Sequence, residues 1–317
     1  MDWPLYLHLM RYVLIVGPVM AAVCALLSVF VVLRRMAMIS EAVAHAGLGG
    51  LALSLLLGYW WGFANSYWGQ ELITGGFCVA TALLIGLFSR GREVTVDSAI
   101  GIFLVASVAT GVVMLVVRRN MSGPPMPIDL ESVLFGSIVS VSAADAWLIS
   151  IVAAGVFAVV LLMLPSFIYT SMDEEMARVN GVKTWLVHLL LLIMVSTVIA
   201  VGARMVGTLM INALMILPGA TARMISRRFG GVLVVSLLVG VLGVSGALAA
   251  SIFIPQMSWL SMEQASWLSA VPTGPILVLT LFLIFLVTWI VCQIRSRRGQ
   301  RTNRRAESVT VTADEAG

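Results

Sequence analysis

An all-α, polytopic membrane protein with about nine transmembrane helices is the fold class that this chain predicts, and three observations carry the prediction. Of its 317 residues 60% are hydrophobic and 11% charged, with a mean hydropathy of +1.05, whereas a soluble domain carries about 25% charged residues. Stretches with little or no charge recur at the ~20-residue length that crosses ~30 Å of hydrocarbon. Arginines gather at alternate joints between those stretches.

Taken in order, the spans fall at roughly 12–33, 40–62, 70–89, 97–117, 143–164, 184–204, 206–220, 230–252 and 272–294. The first ends at Arg34–Arg35 without a small-residue cleavage site, so it reads as a retained span and not a signal peptide. The seventh is short and ends at Pro218–Gly219; it either borders a protein-lined pathway or is a short, tilted crossing. The proline- and glycine-rich loop 118–131 is expected to be an external connector. Residues 1–294 form the membrane domain. Residues 295–317 begin basic, end acidic and lack apolar periodicity, and are expected to be a disordered cytoplasmic tail whose arginines lie near anionic headgroups. Arginines directly after a span are the ordinary stop-transfer pattern, so no nucleic-acid partner is implied.

An odd number of spans with the C-terminus inside places fifteen of the nineteen basic residues in the cytoplasm. The positive-inside bias therefore predicts an N-terminus outside and a C-terminus in the cytoplasm.

Several chemistries are excluded. A phosphate-binding P-loop needs Gly-Lys-Ser/Thr, and the one lysine, Lys183, follows Val182. Energy must come from an ion gradient or a partner subunit. There is no HExxH pair for an intramembrane zinc protease. Cys24, Cys78 and Cys292 lie singly in apolar runs, which indicates neither a disulfide framework nor a cysteine metal site.

Glu41 and His45, in the second span, stand out. Four residues apart on a helix, they leave the same face about one turn from each other. A helix entering the membrane at Arg34–Arg35 places His45 about 15 Å deep. A carboxylate there costs on the order of 2.5 kcal/mol or more. The pair can be a hydrogen-bonded packing device or a metal-holding site, and the cost favours transport. Small residues from Ala42 to Gly50 leave the helix slim enough for a neighbour to approach. A second copy of the pair would complete a mixed oxygen and imidazole site suited to Zn²⁺ or Mn²⁺.

Other polar residues carry less. His8 reads as interfacial and His188 as a packing residue. Glu71, Asp97 and Arg204 sit at span ends where snorkelling accounts for them, and the scattered methionines read as core packing. Ser171–Val182, SMDEEMARVNGV, is expected to hold a short cytoplasmic helix. Asp173, Glu174 and Glu175 lie at its positive end and Gly181 at its stop. It is either a solvated connector or a docking element for a cytoplasmic partner.

Six stretches together resemble the permease subunit of the ABC-3 family of importers for zinc, manganese and iron(II). They are LRRMAMISEAVAHAGLGGLALSLLLG, VDSAIGIFLVASVATGVVML, DLESVLFGSI, SMDEEMARVNGV, VGTLMINALMILPGATARM and PTGPILVL. The resemblance implies a fold related to the B12 and iron-siderophore permeases, in a bacterial cytoplasmic membrane. It implies three kinds of partner: a second permease subunit in a homo- or heterodimer, a cytoplasmic ABC ATPase dimer, and an extracytoplasmic metal-binding protein. Glu41 and His45 correspond to the metal-coordinating positions. Asp173, Glu174, Glu175, Arg178 and Gly181 fall in the segment that transmits ATPase closure. No permanent cofactor is implied, only the transported ion. At position 41 typical members carry Asp, so Glu lengthens the arm by one methylene; the stretch ASWLSAVPTGP lacks the aspartate that often precedes the proline. The rival classes are a stand-alone, proton-coupled secondary metal transporter that uses Glu41 as proton carrier, and a non-transporting membrane scaffold.

Overall fold

The computed structural model describes residues 3–90, 95–121, 142–253 and 273–314. Among these residues there are helices and no strands: α1 (Trp3–Leu33), α2 (Ala37–Leu57), α3 (Tyr67–Phe88), α4 (Val96–Asn120), α5 (Ala143–Leu162), α6 (Leu164–Met172), α7 (Glu174–Val179), α8 (Thr184–Val206), α9 (Thr208–Ile225), α10 (Phe229–Phe253) and α11 (Thr273–Asp314). A 3₁₀ turn, Gly62–Asn65, precedes α3. Nine of the helices are long and apolar enough to cross a membrane. Most of the loop 118–131, the stretch DLESVLFGSI and the stretch ASWLSAV lie outside the described residues.

The helix starts follow local chemistry. Ser66, Thr95 and Ser142 cap α3, α4 and α5 by accepting from the backbone N–H three residues on. Ser142 and Asp145 form a reciprocal capping box, which satisfies donors that the first turn would leave orphaned. Between α1 and α2 the chain turns with Arg35 at φ 57°. Met36 N–H donates to the Val31 carbonyl and Arg35 N–H to that of Val32, the paired bonds of a Schellman stop.

Two expectations are corrected. The second span, expected over 40–62, ends at Leu57, because Gly58 turns the chain and the exposed Tyr59, Trp60 and Trp61 are of the type that settles at a membrane interface. The seventh, expected to stop at Pro218–Gly219, runs through both to Ile225. Gly219 lies so close to α1 that a Cβ there would stand 2.6 Å from the Ser28 carbonyl oxygen, and this packing offsets the hydrogen bond that proline removes. Helix α11 continues beyond its span to Asp314. A helix already formed in the span extends without a new nucleation cost.

Helices α1, α2, α8 and α9 form the interior, with 67%, 61%, 67% and 56% of their spanning windows buried, against 17% for α4 and 11% for α11. Around α2 pack α3, α4, α8 and α9. Lipid supplies no hydrophobic drive between helices, so close packing of small residues must hold them together. Gly50 meets the α3 backbone, where a Cβ would lie 2.8 Å from Thr74 Cα, and Gly49 and Gly111 bring α2 and α4 together. The slim face anticipated on α2 is thus used by two neighbours.

Candidate metal site and coupling segment

Helical spacing brings the second-span pair together: Glu41 Oε1 lies 3.4 Å from His45 Nε2. Their side chains are 39% and 28% exposed, so they are open to whatever lies beside a single chain. A third residue reaches them from α9. Asn212 Nδ2 donates to Glu41 Oε2 at 3.4 Å. Asn212 is 7% exposed, and its Oδ1 is buried without a partner. A buried amide oxygen left unpaired costs about 1–3 kcal/mol, which makes it a candidate ligand atom beside a carboxylate and an imidazole. That donor set suits Mn²⁺, Zn²⁺ or Fe²⁺. It is incomplete: among the described residues no three of His, Cys, Asp and Glu cluster as a metal cage.

The sequence reading missed Asn212. One available signal was a lone carboxamide inside the apolar stretch TLMINALMILPG, since such a group in a membrane span needs a partner.

The segment Ser171–Val182 holds the short helix expected there. Asp173 caps α7 by accepting from Met176 N–H at 3.0 Å, Glu174 and Glu175 occupy its first turn, and Gly181 adopts φ 79°, a left-handed conformation open to glycine at little cost. Arg178 donates to Glu174 at 2.7 Å. That hydrogen bond holds the Glu174 carboxyl below the usual carboxylate range, with Arg34 adding to the effect. Arg34, in the turn that leads into α2, is pulled below the ordinary arginine value by burial, with Glu174 opposing. The segment therefore interacts electrostatically with the start of the helix that carries Glu41 and His45.

A second polar cluster lies at the other end of the bundle. The Tyr67 hydroxyl donates to Asp145, Arg204 pairs with Glu71, and the Arg204 guanidinium sits 5.0 Å over the Tyr67 ring. Glu71 and Arg204, expected to snorkel separately, instead meet each other. His188 stacks on Trp185 and lies 3.4 Å from Arg34 Nη1, in keeping with a packing role.

A sequence model described as the ABC 3 transport family matches residues 6–292. The chain belongs to that family. Among its relatives is the manganese transport system membrane protein MntC of Halalkalibacterium halodurans, 31% identical over 220 residues, covering 69% of this chain and 70% of that protein. The high-affinity zinc uptake system membrane protein ZnuB of Haemophilus influenzae is 28% identical over 240 residues, covering 76% and 87%. Among solved structures, PsaBC from Streptococcus pneumoniae in complex with Fab aligns with a TM-score of 0.70 at 26% identity, covering 89% of this chain and 91% of that one. The protein is a polytopic ABC-transporter permease.

Proposed function

We propose that this permease carries a divalent first-row transition-metal ion, Mn²⁺, Zn²⁺ or Fe²⁺, into the bacterial cytoplasm by alternating access. The observation that carries the reading is the Glu41–His45–Asn212 cluster, half a coordination shell on two span-length helices of an ABC 3 family chain. The names of its relatives, manganese and zinc systems, support a transition-metal cargo. A second permease subunit supplies the remaining ligands, an extracytoplasmic binding protein delivers the ion, and a cytoplasmic ABC ATPase dimer supplies the energy that this chain has no P-loop to harvest. The N-terminus faces outward and the arginine-rich end inward, following the basic residues.

In this reading the ion rests against the Glu41 carboxylate and the His45 imidazole, while Asn212 fixes the carboxylate and offers its free oxygen. A partial shell suits a carrier, because an ion caged on all sides does not leave. Asp173–Gly181 receives the ATPase movement and passes it to the α1–α2 turn beside Arg34.

The test is transport by the complete complex in proteoliposomes. Metal should stimulate ATP hydrolysis, and uptake should require ATP. His45→Ala should bring uptake to background while insertion and assembly stay intact. Normal uptake by that variant would remove the site assignment, and uptake without any ATPase would favour the secondary-transporter class.

A further inference from the structure

The arginine-rich end of the bundle contains a cleft of about 740 Å³, bounded by the ends of α3, α4, α7 and α8 and by the turn before α2. Its size falls within the ~300–1,000 Å³ of ordinary small-molecule sites. Among the described residues its walls carry Arg34, Arg90, Arg178 and Lys183, with Glu174 as the one carboxylate. Glu174 is already bonded to Arg178. Arg34, Arg90 and Lys183 therefore face one volume without an ion-pair partner among the described residues.

Two further features define a site and not merely a basic surface. Arg34 Nε is buried with no hydrogen-bond partner, and Nη1 has only the long contact to His188. A buried guanidinium N–H without an acceptor is costly, and half of a fork suited to two oxygens of one anion is left open. Arg90 is held at the rim by Trp185, its guanidinium 4.8 Å from the ring centre. The residues next to the wall in the chain, Leu87, Phe88 and Leu186, are apolar and half exposed.

We infer that this cleft is a binding site for a phosphate-bearing anion at the cytoplasmic membrane surface, held by Arg34 at its base and by Arg90 and Lys183 at its mouth. The anion is either the headgroup of an anionic phospholipid or a soluble phosphate compound. Basic pockets between spans on the cytoplasmic side suit such headgroups. The inference does not depend on the transported ion.

Native mass spectrometry of the full-length protein should show a phosphatidylglycerol molecule retained one per chain, with phosphatidylcholine failing to replace it. Arg90→Ala/Lys183→Ala, changing two exposed residues, should weaken retention roughly thirtyfold, on about 1 kcal/mol per basic residue. Arg34→Gln should abolish it wherever that variant folds. If no lipid is retained but inorganic phosphate or a sugar phosphate raises the Tm of the wild type and not of the double variant, the source is soluble and the site stands. Equal retention by wild type and double variant, or no response to either ligand, overturns the inference. Loss of the adduct when the chain assembles with its ATPase also overturns it, because the cleft then receives a protein carboxylate instead.

Discussion

The two polar clusters inside the bundle differ in how completely their members are matched. At one end Tyr67 meets Asp145 and Arg204 meets Glu71, so each charge or hydroxyl has a counterpart. In the N-terminal half of α2, Glu41 and His45 stand 3.4 Å apart, and Asn212 spends its amide on Glu41 while its oxygen stays unpaired. Matched groups hold helices in place. A group left unmatched in a low-dielectric interior is retained at a cost and has capacity left for something that is not protein. The comparison fits a structural role for the outer cluster and, under the proposed function, a cargo-holding role for the inner one.

The largest effect should come from the unmatched site. Asn212→Leu, similar in volume, should leave thermal stability close to wild type yet weaken metal binding by about 10–100-fold, as for partners that orient a ligand. Titration of the purified protein with Mn²⁺ and Zn²⁺ measures this, and an unchanged affinity would return Asn212 to a packing role. The matched cluster should behave the other way. Arg204→Gln leaves the Glu71 side chain, 10% exposed, without its partner and should cost about 1–3 kcal/mol of stability. Glu71→Gln added to it should restore most of that loss in a thermal melt, with transport per folded molecule unchanged throughout. If Arg204→Gln instead stops uptake without lowering the Tm, the distinction between the clusters fails.

Smaller effects concern α7, the short helix beside the turn into α2. Because the Glu174 carboxyl is held below its usual range by Arg178, its contribution is complete above the ordinary carboxylate pKa of about 4.3 and fades as pH falls through the lower folded value. Amide exchange across Glu174–Val179, corrected for its intrinsic pH dependence, should therefore show falling protection below about pH 4, and Glu174→Gln should flatten that change. The smallest effect is expected at Arg35, whose φ of 57° costs a non-glycine residue roughly 1 kcal/mol. Arg35→Gly should raise stability by a few tenths to about 1 kcal/mol, after the added freedom of the unfolded chain is offset.

Most of the spans were legible because hydropathy and length act locally: an apolar run of 20 residues meets lipid in the same way whatever its neighbours do. The Glu41–His45 juxtaposition was legible because helical geometry decides it within one turn. The course of α7 was legible for the same reason, from Asp173 at its cap to Gly181 at its end. Where the reading went astray, a distant element had overridden a local signal. Pro218–Gly219 is a stop in isolation, and the backbone of Ser28 turns it into a packing surface.

By itself the sequence determined that this chain crosses a membrane about nine times, which end gathers the arginines, and that a carboxylate and an imidazole share one helix face. Only the tertiary structure decided that Asn212 joins that face, that Arg204 finds Glu71, and that Arg34 Nε lies buried without a partner among the described residues. These are meetings between residues far apart in the chain, and their partners depend on how slim helices pack. Periodicity along one helix carries no information about which neighbour will arrive at a given height.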